Sequence, residues 1–213
     1  MLPFDAEALT ALYEQYNRSI WPGQVVAILL AAGTLGLAVR PSKAAARAIG
    51  LVLGAGWTWT GAVFLLQHFA PLNFAAPVYG WLFLAQSGLL LWLLTIRGQR
   101  VFDLAPGAAG WAALALAILA LVLVPLGEGL VGSGWAAVEL PGLTPDATVV
   151  FTLAVLAMIR GRTPLHLAAL PFLWSVAAGV TAWMLEAPGL SILPVAGIAG
   201  SVVIVWKNRR SED

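Results

Sequence analysis

The chain has 213 residues, 61% of them hydrophobic and only 10% charged, which lies far outside the composition of soluble domains. A membrane span takes about 20 apolar residues, so seven spans and their connections use nearly the whole chain as one membrane domain. The formal net charge of +1 gives no basic field for nucleic acid, and the absence of cysteine excludes disulfides, thiolate metal sites and cysteine nucleophiles.

Residues 4–20 place Phe4, Leu9, Leu12, Tyr13 and Tyr16 near helical spacing among Asp5, Glu7 and Glu14. This predicts a short amphipathic helix lying on the outer membrane surface. An acidic stretch before the first span, with no basic n-region or cleavage site, does not read as a signal peptide. Apolar spans are then expected at 21–39, 46–69, 78–96, 108–125, 147–159, 165–184 and 190–206, with a Gly-rich connection leading up to Pro145. Trp21, Trp81 and Trp183 fall at one set of span ends and Trp92, Trp111 and Trp206 at the other, the pattern of an aromatic belt.

Charge sets the expected orientation. Arg40, Lys43 and Arg47 follow the first span, Arg97 and Arg100 the third, Arg160 and Arg162 the fifth, and Lys207, Arg209 and Arg210 the seventh. Only Arg18 breaks the alternation. Short loops rich in Lys and Arg stay cytoplasmic, so the expected topology is N-terminus out and C-terminus in. A bacterial inner membrane, with the N-terminus periplasmic, suits this plan.

An internal repeat emerges when the sequence is shifted by 117 positions. Leu53 falls on Leu170, Trp57 on Trp174, Val63 on Val180, and Ala70-Pro71 on Ala187-Pro188. Pro77-Val78 falls on Pro194-Val195, and Gly80 on Gly197. The matches include Trp and Pro, which chance supplies less readily than Leu or Ala. Two same-facing three-span units, residues 21–96 and 145–206, joined by a linker span at 108–125, make a parallel three-plus-one-plus-three plan. Sugar-efflux proteins of the SWEET type share that architecture, although none of their site motifs is present.

Several chemistries drop out on residue placement. His68 and His166 belong to opposite ends of their spans, roughly 20–30 Å apart in depth at about 1.5 Å per residue, so they cannot share a haem or a metal. The seventh span has no lysine before Lys207 to carry a retinal Schiff base. No charged residue occupies the central part of a span, which argues against proton pumping and voltage sensing. No cofactor, metal site or catalytic group is expected.

Two candidate regions remain. The outer one gathers Gln67, His68, Asn73 and Glu186, crowned by the acids Glu128, Glu139 and Asp146. The repeat aligns Glu186 with Phe69, beside His68, so a histidine and a carboxylate are expected near the pseudo-axis. Such a pair binds a cation, shuttles a proton or senses pH, and solvated loop charge is the plainer alternative. Deeper lie Trp57 and Trp174 with Gln86, Thr58, Thr60 and Ser175, residues that would flank a central cavity for a neutral or weakly polar ligand. Helix packing, with hydroxyls bonded back to their own helices, is the competing explanation.

Tyr16-Asn17, Ile20-Trp21-Pro22 and Gln24 resemble a bacterial multi-pass family known as domain of unknown function 6064. So do His68-Phe69, Asn73, Ala75-Ala76, Gly80, Phe83, Gln86, Gly142 to Asp146, Pro171 to Trp174 and Thr181-Ala182. The resemblance touches nearly the whole chain and implies a bacterial membrane protein without an assigned activity. The leading expectation is a small permease or carrier for a neutral or weakly cationic solute. A periplasm-facing receptor or accessory subunit comes second, and a membrane enzyme using His68 with an acid comes third. The expected partners are the lipid bilayer, a small-molecule solute and further copies in a homo-oligomer.

Overall fold

The computed structural model of the chain describes residues 3–104, 107–130, 132 and 134–210. Among the described residues the structure is helical, with no strand and one isolated antiparallel bridge from Phe102 to Ile159. The helices are α1 (Ala6–Ser19), α2 (Gly23–Ala38), α3 (Lys43–Phe69), α4 (Ala76–Ile96), α5 (Ala108–Leu130), α6 (Pro145–Ala157), α7 (Leu165–Met184) and α8 (Ile192–Arg210). A short 3₁₀ turn, Pro188–Ser191, leads into α8.

Five of these helices are long and apolar enough to cross a membrane: α3, α4, α5, α7, and α8 with its leading turn. The remaining two expected spans are shorter. α2 has 16 residues and α6 has 13, rising about 24 and 20 Å against a hydrocarbon core of about 30 Å. α1 and α2 qualify only together, and they are bent by 90° where they meet.

Asp5 starts α1 by accepting the Ala8 amide at 2.8 Å, a side-chain cap of the usual kind. Leu9, Tyr13, Tyr16 and Asn17 are its buried residues, an i, i+4, i+7, i+8 stripe that turns one face to the bundle. α5 runs on to Leu130, beyond the helix end expected at Pro125. Leu119–Leu123 just before it is wound as π-helix, so the i→i−4 ladder is already interrupted where the proline lacks its N–H. Glu128 consequently stands on a helix and not in the Gly-rich connection. π-helical stretches also finish α3 at Thr60–Phe69 and α4 at Leu91–Ile96.

The short helix α6 sits at the centre. It packs on α5, α7 and α8 and touches α3, and twelve of its 13 residues are buried. Pro145 in its first turn and the acidic Asp146 beside it suit a helix N-terminus. At the other end the Lys207 ammonium donates to the carbonyls of Ala157 (3.0 Å) and Ile159 (2.7 Å) and to Thr163 Oγ1 (2.7 Å). A cation there complements the helix dipole. Asn208 closes the same corner, accepting from Thr163 N and donating to Thr163 O, both at 2.8 Å.

Of the six tryptophans expected at span ends, Trp21, Trp81, Trp92, Trp111 and Trp183 are exposed, while Trp206 is half-buried. Small residues let the helices approach closely. A Cβ on Gly80 would strike the Leu66 side chain of α3, and one on Gly197 would strike Ser175 of α7.

Candidate functional site

α1 lies as a lid across one end of the bundle, held by hydrogen bonds that its own sequence supplies. The Tyr16 hydroxyl donates to Leu143 O at 3.0 Å and accepts from Trp59 Nε1 at 2.9 Å. Asn17 Nδ2 donates to the carbonyls of Ala136 and Val138, each at 2.9 Å, and Gln24 Nε2 donates to Asn17 O at 2.6 Å. Tyr13 reaches Glu139 Oε2 at 3.4 Å. Tyr13 and Tyr16 both pack on Phe64, with ring centroids 5.4 and 5.0 Å away.

Beneath this lid is a cavity of about 230 Å³. Its walls include Tyr13, Asn73, Tyr79, Glu139, Asp146 and Trp174, with Phe4, Phe64, Phe69 and Phe74 adding aromatic surface. Asp146 projects from the first turn of α6 and accepts Trp174 Nε1 at 2.6 Å. Tyr79 meets the Trp174 ring edge-on at 5.4 Å. A larger cavity of about 510 Å³ adjoins across Leu9, Tyr13, Glu139 and Leu190 and reaches Glu128, whose Oε2 accepts the Glu139 amide at 2.8 Å.

Three acids are thus grouped at one end of the bundle, and neither ion pair among the described residues, Arg18–Glu14 and Arg160–Asp103, involves them. Glu139 is buried, and its carboxyl is pushed well above the usual carboxylate range by desolvation, then by the nearby charges of Asp146 and Glu128. Among the described residues no group of three or more His, Asp or Glu side chains is arranged to hold a metal ion. The arrangement sets buried carboxyls against an aromatic wall.

The residues singled out from sequence divide sharply. Asn73, Trp174, Glu139 and Asp146 line the cavity under the lid, and Glu128 lines its neighbour. His68 stands outside both. Its Nδ1 is 3.0 Å from Val63 O, its Nε2 3.5 Å from Ser19 Oγ, and its ring packs against Tyr16. Gln67 is exposed. Glu186 is also exposed and lines a separate open depression with Trp183 and Pro188, of which His68 is not part. Span ends aligned in sequence have different surroundings here: His68 packs against Tyr16 of α1, whereas Glu186 faces an open depression.

The deeper group is packed. Trp57 is fully buried and donates Nε1 to Thr152 Oγ1 at 2.8 Å. Phe83 fills the space between the two tryptophans, 4.3 Å from Trp57 and 5.0 Å from Trp174. Gln86 donates to Leu167 O at 2.8 Å, Thr58 bonds Ser87 at 2.7 Å, Thr60 bonds Thr148 at 3.3 Å, and Ser175 donates to Pro171 O at 2.9 Å. Tyr13 and Tyr79 are the site residues that sequence reasoning did not single out. The buried stripe of α1 was the available signal for Tyr13; Tyr79 carried none.

The fold is that of an all-helical protein with several helices apolar enough for a membrane. The model of a family of unknown function, domain of unknown function 6064, matches residues 6–212, and the chain belongs to that family. No curated protein and no solved structure matches the chain.

Proposed function

We propose that the chain is a small carrier that takes a neutral or weakly cationic solute from the outer face of a bacterial inner membrane. The observation that carries this reading is the cavity under α1, covered on one side by the hydrogen-bonded lid and walled by aromatic rings and carboxyls. Seven spans, N-out and C-in, would put that cavity on the periplasmic side, with the basic connections cytoplasmic. The parallel repeat gains support from Gly80 and Gly197, aligned in sequence and each a point of close helix approach. The π-helical segments of α3, α4 and α5 are natural bending points for alternating access.

Uptake into proteoliposomes with a panel of neutral and cationic solutes tests the carrier directly. Saturable flux that is lost on substituting cavity residues is the expected result, and no flux of any solute would overturn it. One observation favours a second reading, a periplasm-facing receptor or accessory subunit: Phe83 fills the route between Trp57 and Trp174. Under that reading the same solute binds without crossing.

A further inference from the structure

We infer that the cavity under α1 binds a compact organic cation, an alkylated ammonium ion carrying a hydroxyl or carbonyl group. The inference rests on reading this cavity as the ligand site and narrows its solute to one chemical class. It starts from the cavity's unmatched groups. Glu139 and Asp146 present carboxyls to one space with no basic side chain among the lining residues. An anion would be repelled by the ionised acids, and a neutral solute offers no counter-charge, so the acids could stay buried beside it only as neutral carboxyls. A bare metal ion would need converging oxygen ligands, which the described residues do not provide.

An alkylammonium ion answers each of these demands. Its charge is spread over alkyl groups, so it enters an apolar space at smaller dehydration cost than a compact inorganic ion. Its alkyl faces lie well against aromatic rings. Tyr13, Tyr79 and Trp174 surround the acids, with phenylalanines completing the wall. Two polar groups are left over for a handle on the ligand. Asn73 is buried and lines the cavity; its Oδ1 accepts Ala75 N at 3.0 Å, while its Nδ2 has no hydrogen-bond partner among the described residues. The half-buried Tyr79 also lines the cavity, and its hydroxyl has no hydrogen-bond partner among the described residues. An amide donor and a phenol suit a hydroxyl or carbonyl oxygen. The apolar groove between α2, α3 and α6, about 270 Å³ and lined by residues such as Val26, Leu30 and Phe151, has no such groups.

The test is direct binding to the full chain in lipid nanodiscs. The probes are choline, tetramethylammonium, and the neutral analogue of choline with carbon in place of nitrogen. Choline should bind at least roughly tenfold tighter than the neutral analogue, as expected for a desolvated cation among rings. It should also bind tighter than tetramethylammonium, which lacks the oxygen. Glu139→Gln and Asp146→Asn should each weaken choline binding while melting as cooperatively as the parent. Tyr79→Leu should weaken it more than Tyr79→Phe. Equal affinity for choline and its neutral analogue, no binding of either cation, or unchanged affinity in both carboxamide variants would each overturn the inference. Binding without flux in proteoliposomes would overturn the carrier and leave this inference standing; flux of neutral solutes without cation binding would do the reverse.

Discussion

Trp57 and Trp174 occupy matching places in the sequence and both give their indole N–H to α6, yet their surroundings differ in kind. Trp57 donates to the hydroxyl of Thr152, is sealed from solvent, and packs against Phe83 with the rings tilted. Trp174 donates to the carboxyl of Asp146, lines a cavity, and meets Tyr79 on its open side. The same residue therefore cements one half of the bundle and furnishes a wall in the other. The acceptor on α6 marks the difference: a neutral hydroxyl can be buried with one partner, whereas a carboxyl calls for a counter-charge or a proton.

Four measurements test that contrast. Trp57→Ala should be the most damaging, by about 3–5 kcal/mol as for other large-to-small core changes, read from unfolding in mild detergent; a small loss would mean that Trp57 is not a packing residue. Thr152→Val should cost about 1–3 kcal/mol because it strands the buried indole N–H, while the nearly isosteric side chain keeps the packing. Stability should also respond to pH through Glu139. Its raised pKa means the fold favours the neutral acid, so stability is highest at low pH and falls as pH rises above about 4.5 toward the raised value. Glu139→Gln should flatten the part of that slope due to this residue, which is faced by Glu128, Asp146 and Tyr13; an unchanged melting-temperature profile would show that Glu139 does not titrate there. Trp59→Phe should have the smallest effect, about 0.5–1.5 kcal/mol for a lost hydrogen bond to Tyr16, seen chiefly as faster proteolysis or exchange in α1.

Helical periodicity and hydropathy made most of the elements legible. The limits of α7 coincide with the expected span at 165–184, and the amphipathic stripe of α1 faces the bundle as its spacing requires. Pro125 misled, because a proline ends a helix only where the ladder before it is intact, and here π-winding precedes it. The outer acids were visible as a group, but their burial was not, since linear sequence does not reveal that α1 folds back over residues 136–143. A shift alignment compares positions within helices and carries nothing about an extra helix laid across one of the two ends.

The full burial of α6 has a consequence for how the protein is made. A helix of 13 residues with almost no surface left for lipid gains little from partitioning into the bilayer alone, and its hydroxyls Thr148 and Thr152 are satisfied within the protein. Its stable position depends on α7 and α8, which are synthesised after it, and on Lys207 near the end of the chain. Chains halted before α7 should therefore hold this segment poorly in the membrane, as accessibility labelling of nascent chains would show.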